Sequence, residues 1–338
     1  MTQGRISFID LAKGFCISIV ILFHIKGIAS QVLPLDPVLF TACMLPPFFF
    51  LSGLFFKEET FSVFLRKKIN KLLIPFLAFY LLTAVILPYL LHYFRGMEFE
   101  SVVGWHSLWA FIWPGKYPNF ALWFLWCLFL INIMFWGMLR FAKRFFQNHQ
   151  FLAISSMILA FAVVGNYAYF SLSADIGNLF GAMRNLPFFC LGYLASQKDF
   201  IEKVESASMT NKAICLLLAF IVTLLLYLPI VHQSLIANTL AYYVCGIAGT
   251  ILILSLSSMI VKLPLISYLG RYSIIVLLTH GLIIRFSLPF VLRLSGSMNP
   301  YCLIFAFWLM IALSYLIITP LCKRFLPHIT AQKPLLRI

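Results

Sequence analysis

The residue that most calls for a chemical explanation is His24, in the stretch CISIVILFHIKGIAS at residues 16–30. An imidazole set among Ile, Val, Leu and Phe gives up good hydration, and an ionisable side chain at membrane depth is by default a functional-site hypothesis. Bonding to a carbonyl or a neighbouring helix is the structural alternative, and position alone does not separate the two. Lys13 precedes His24 by eleven residues, almost three turns at 3.6 residues per turn, so the two share a helix face. Asp10, three residues before Lys13, adjoins that face. The stripe Asp10–Lys13–His24 therefore runs roughly 20 Å along one helix at 1.5 Å per residue. Asp10 also has a local account, because SFID is a Ser-x-x-Asp capping pattern ahead of an apolar run.

Three further stretches carry polar chemistry. FLRKKINKLLIPF holds Arg66, Lys67, Lys68 and Lys71. The three- and four-residue spacings present these lysines together on a helix, where they would attract phosphate groups. Anchoring at the cytoplasmic face asks for Lys and Arg in the same place, so the two readings compete. GAMRNLPFFCLGYL places Arg184 and Asn185 near a helix end, and YLGRYSIIVLLTHGLI places His280 deep in an apolar run behind Arg271. Snorkelling accounts for the two arginines. It does not account for His280. In FTACMLPPFFFLSGLFF, Pro46 and Pro47 remove two backbone donors, while Ser52 and Gly53 admit close helix approach. That break either lines a cavity or serves packing. No GxSxG, phosphate-binding loop or dinucleotide fingerprint is present, so acid–base chemistry at membrane depth must lean on histidine.

The elements that must position these residues are membrane helices. The 338 residues are 62% hydrophobic and 10% charged, far below the roughly one-quarter charged residues of a soluble domain. Apolar runs of about 20 residues are expected as helices at 11–31, 38–56, 72–94, 120–141, 151–171, 178–196, 212–232, 236–261, 264–285 and 300–322. The fold class expected is an all-α polytopic membrane protein with ten transmembrane helices. The net charge of +15 comes from clusters between alternate runs, which puts both termini in the cytoplasm and excludes a nucleic-acid partner. Eight cysteines form no CxxC pair, so no metal site or disulfide framework is expected. Residues 1–338 are expected as one membrane-embedded domain without a soluble one. The loop at 95–119 repeats Trp at 105, 109 and 113, as an interfacial belt does.

In order along the chain, FIDLAKGFCISIVILFH, PPFFFLSGLFF, RKKINKLLIPF, LWFLWCLF, LPFFCLGYL and LGRYSIIVLLTH resemble membrane acyltransferase family three. These are integral-membrane O-acyltransferases that modify bacterial glycans and related small molecules, and the fucose 4-O-acetyltransferase-like branch is the nearest in appearance. The resemblance implies a multi-pass protein of the bacterial inner membrane. It implies transfer of an acetyl group from acetyl-CoA, a substrate rather than a bound cofactor, to a hydroxyl of a sugar or lipid-linked glycan. The family's essential histidine falls on His24, and its Asp and basic residue on Asp10 and Lys13. Its donor-site basic pair falls on Lys68 and Lys71, beside Arg66 and Lys67. Lysine keeps the charge of the arginine more common there but loses its bidentate fork. The family's later Trp and His fall on Trp123 and His280, which with Arg184 are the positions expected to serve the acceptor or support the catalytic histidine. A transporter or flippase for a lipid-linked glycan is the competing class, and it predicts substrate movement without CoA.

Overall fold

The computed structural model describes residues 6–29, 38–87, 89, 93, 119–172, 176–226, 234–295 and 300–337, and among these every regular element is a helix. The predicted belt of Trp105, Trp109 and Trp113 lies outside the described residues. The helices are α1 (Ser7–Ala29), α2 (Pro46–Leu54), α3 (Phe61–Ile86), α4 (Trp123–Phe145), α5 (Gln150–Ser171) and α6 (Leu179–Ser196). They continue with α7 (Phe200–Ser206), α8 (Met209–Leu225), α9 (Leu235–Ile260), α10 (Pro264–Arg271), α11 (Ser273–Ser295) and α12 (Tyr301–Phe325).

Six of these, α1, α3, α4, α5, α9 and α12, are long and apolar enough to cross a membrane. The number rises to eight if α7 with α8, bent by 110°, and α10 with α11, bent by 94°, each count as one span. The runs at 38–56 and 178–196 hold the shorter α2 and α6. The run at 264–285, expected as one helix, turns sharply at Tyr272 between α10 and α11. Its apolar composition is continuous, so composition alone could not show the corner.

The chain forms two compact units. The first comprises residues 1–56 and 188–320, and the second comprises 57–187 and 321–338.

In the first unit α1 is central. Its residues Phe8, Ile9, Ala12 and Cys16 pack with Ala42, Cys43, Leu51 and Leu54 and with Cys245, Ile253 and Leu254 of α9. In lipid, apolar side chains gain little by leaving hydrocarbon, so close backbone approach at small residues holds helices together instead. Two reciprocal glycine contacts do this here. A Cβ on Gly14 of α1 would stand 2.1 Å from the Ile266 carbonyl oxygen of α10, and one on Gly270 would stand 1.8 Å from that of Asp10. Likewise Gly53 of α2 faces the Phe189 carbonyl at 1.8 Å, and Gly192 of α6 faces that of Phe50 at 1.9 Å.

In the second unit α3 widens into π turns at Ile69–Leu73 and Leu82–Ile86. The first of these lies just ahead of Pro75, which cannot donate to the preceding turn and clashes with it in a regular α-helix. Trp126 of α4 stacks near Phe76 of α3, with centroids 5.7 Å apart, and its indole N–H donates to the Gly177 carbonyl at 2.7 Å.

Candidate active site

His24 lies near the end of α1, and His280 lies two turns past the corner that opens α11. The structure brings them together in the first unit, with ring centroids 5.3 Å apart and planes inclined by 36°. They are 256 residues apart in the chain. Ile17, Ile21 and Ile25 of α1 and Ile275, Val276 and Leu278 of α11 are almost wholly buried, so both rings are carried on well-packed helices. Phe23 stands edge-on to His24 at 5.1 Å and also meets Phe40 at 5.2 Å.

His280 is fully buried. Its Nδ1 lies 3.0 Å from the Val276 carbonyl oxygen. A carbonyl only accepts, so Nδ1 carries the proton and donates it, which leaves Nε2 as the nitrogen that accepts whenever the ring is neutral. The i−4 bond fixes both the tautomer and the ring plane. His24 is half-buried. A pair with one imidazole locked and the other more accessible can take a proton from a hydroxyl and hold it in a set direction.

His280→Phe keeps a ring in the space and removes both nitrogens. Turnover is expected to fall about a hundredfold, the lower end of what a misplaced general base costs, with KM within about twofold. A residue that served only packing would lower the Tm of this variant and leave the turnover of the folded protein unchanged.

Asp10 and Lys13 are not brought to this pair. Asp10 occupies the first turn of α1, and its carbonyl lies under Gly270. The Lys13 ammonium sits 5.4 Å from the centroid of the Phe55 ring. Eleven residues of helix place Lys13 roughly 16 Å along the axis from His24, beyond the reach of its side chain. A shared face is not a shared site.

The basic set belongs to the second unit. Arg66 and Lys71 are exposed, while Lys67 and Lys68 are half-buried. Lys67 pairs with Glu59, and the Lys68 ammonium lies 5.7 Å from the Phe64 ring centroid. The turn before α3 is tied to α4. The Glu59 carbonyl accepts from Arg140 Nη2 at 3.0 Å and from Trp136 Nε1 at 3.3 Å, and Glu58 pairs with Lys143. The lysines therefore start from a braced helix.

Trp123 and Arg184 also belong to this unit. Trp123 opens α4, and its carbonyl accepts from Asn178 Nδ2 at 3.2 Å. The Arg184 guanidinium lies over the rings of Tyr169 and Phe170, at 4.6 and 5.0 Å. That is the cation–π arrangement of an arginine settled against an aromatic surface.

Sequence reasoning passed over Asn70, between Lys68 and Lys71 in the chain. It is buried, and its amide bonds the backbone of Leu335 and Leu336. The available signal was an Asn inside a run that otherwise alternates lysine with apolar residues. Among the described residues no three His, Cys, Asp or Glu side chains are placed to hold a metal ion.

The family model described as an acyltransferase domain, that of acyltransferase family 3, matches residues 6–319. The chain belongs to acyltransferase family 3. The match runs from the first turn of α1 into α12, so it takes in both histidines and the whole basic set of this acyltransferase. No curated protein matches the chain. No solved structure matches it either.

Proposed function

We propose that this membrane acyltransferase moves an acetyl group from cytoplasmic acetyl-CoA to a hydroxyl of a sugar, in a cell-surface glycan or its lipid-linked precursor. The observation that carries the reading is the His24–His280 pair, two imidazoles on packed helices within a chain of acyltransferase family 3. His24 is the general base. It takes the hydroxyl proton as the oxygen attacks the thioester carbonyl, and the C–S bond breaks to release CoA, whose thiolate takes up a proton. His280 supports His24 from behind, in the tautomer set by Val276. Lys67, Lys68 and Lys71 hold the donor's phosphates, with Arg66 beside them. Arg184 and Trp123 serve the acceptor, and Asp10 and Lys13 complete the cytoplasmic end of α1. The setting is the bacterial cell membrane with both termini cytoplasmic, as the alternation of basic loops favours. The branch resemblance of the motifs supports a sugar hydroxyl as acceptor.

The test is turnover of radiolabelled acetyl-CoA by the purified chain in nanodiscs, with a panel of sugar acceptors. CoA release coupled to label transfer is the expected result. A folded protein that neither binds CoA nor transfers label would overturn the reading in favour of transport. Within the same assay, replacing Lys67, Lys68 and Lys71 together by Ala should raise the KM for acetyl-CoA at least tenfold, at roughly 1 kcal/mol or more per phosphate contact. The KM for the sugar should stay within about twofold. An unchanged donor KM would reduce these lysines to topological anchors.

A further inference from the structure

The chain after α12 does not trail away but folds into a hook. Thr330 is fully buried, and its hydroxyl donates to the Leu326 carbonyl at 2.7 Å. The backbone N–H groups of Gln332 and Lys333 both donate to the Pro327 carbonyl, at 2.8 and 2.9 Å. The His328 Nδ1–H donates to the Pro334 carbonyl at 3.0 Å.

The tip of the hook is fastened to α3 by one side chain. Asn70, 4% exposed, sits in the π turn Ile69–Leu73. Its Nδ2 donates to the Leu336 carbonyl at 2.9 Å, and its Oδ1 accepts from the N–H groups of Leu335 and Leu336, both at 2.8 Å. A buried amide without partners is costly, and this one takes them from backbone 265 residues away.

The placement concentrates charge. Arg337 follows Leu336 directly, so its Cα is three bonds from a carbonyl oxygen held on Asn70. Lys333 is three residues before Leu336, and both cations are exposed. Asn70 itself stands between Lys68 and Lys71. Anchoring at the membrane surface explains basic residues on α3. It does not explain an amide clamp that seats a second basic segment on that same turn. Gathering like charges is unfavourable until a polyanion shares them.

We propose that the hook of residues 326–337 is part of the site for the donor's phosphates, with Asn70 as the positioning residue that seats it and Arg337 as a further cation of that site. This rests on the reading that Lys67, Lys68 and Lys71 take those phosphates. The hook turns a helix face into a site with two walls, suited to a nucleotide carrying several phosphates.

The experiment measures binding of CoA and of adenosine 3′,5′-bisphosphate to the full chain in nanodiscs. Arg337→Glu should weaken both ligands about fivefold, the scale of one exposed charge contact, and Arg337→Lys should stay within about twofold. Asn70→Leu should weaken them in the same direction. If Asn70→Leu fails to fold, the exposed Arg337→Glu still decides. Affinity unchanged in Arg337→Glu, but lost when the three lysines become Ala, overturns the hook and leaves the donor site standing. Affinity unchanged in both overturns the donor site itself. Tighter binding in Arg337→Glu, or on deletion of residues 334–338, would make the hook an obstacle and overturn the proposal.

Discussion

His24→Ala is expected to fold and insert as the unaltered chain does, to keep its affinity for the acyl donor, and to lose acyl transfer about a thousandfold. The magnitude is that of a general base, whose removal costs about 10²–10⁴ in rate. Folding should survive because the ring is half-buried and its neighbours on α1, Ile21 and Ile25, carry the packing of that turn. His24→Gln separates the base from its shape. Glutamine can still hydrogen-bond a hydroxyl but cannot carry away its proton, so its loss should approach that of alanine. Single-turnover measurements with labelled acetyl-CoA check this directly, with Tm and CoA affinity as controls. Turnover at the unaltered rate in both variants would sink the base assignment, and the family's chemistry would then have to rest on His280. If His24→Gln retained most of the rate, the role of His24 would be orientation rather than proton transfer.

What could be read from the sequence divides along the distance between interacting residues. The helices were legible because each apolar run announces itself within about 20 residues. His24 stood out because a polar residue in hydrocarbon is conspicuous. His280 was conspicuous for the same reason, yet its pairing with His24 joins residues 256 apart, and no local pattern encodes which helix meets which. The Asp10–Lys13–His24 stripe shows how far a local reading reaches. The helical arithmetic was sound, but a common face extends the length of the helix, and the structure puts Lys13 against Phe55 rather than beside His24. Asn70 was hidden because its partners are backbone groups, which every residue possesses. The corner at Tyr272 was hidden because an apolar run reads the same whether straight or bent; what marks it is the glycine before it, whose missing side chain matters only once α1 lies against it.

That glycine carries the second large expectation. Gly270→Ala adds one methyl group, and its carbon would stand 1.8 Å from the Asp10 carbonyl oxygen and 2.4 Å from the Gly14 nitrogen. Both are backbone atoms of α1, so no rotamer change relieves the clash and α10 must move away from α1. Overpacking of this kind costs about 1–3 kcal/mol where side chains can shift, and the upper end or beyond is expected where they cannot. The consequence extends to the chemistry. α10 leads through the corner at Tyr272 into α11, which carries His280, while α1 carries both the contact and His24. Displacing α10 therefore displaces one histidine from the other. Gly270→Ala should lower the Tm in detergent and reduce turnover of the remaining folded protein at least tenfold. Gly137→Ala in α4 is the control, because a Cβ there meets nothing within 4 Å. By helix propensity it should be neutral or stabilising by up to about 1 kcal/mol. If both variants lowered the Tm equally, the glycine contact would not be what sets α1 against α10. If Gly270→Ala lowered the Tm but the folded fraction kept full turnover, the histidine pair would be held by the walls of α1 and α11 alone, and the contact at Gly270 would serve stability without reaching the site.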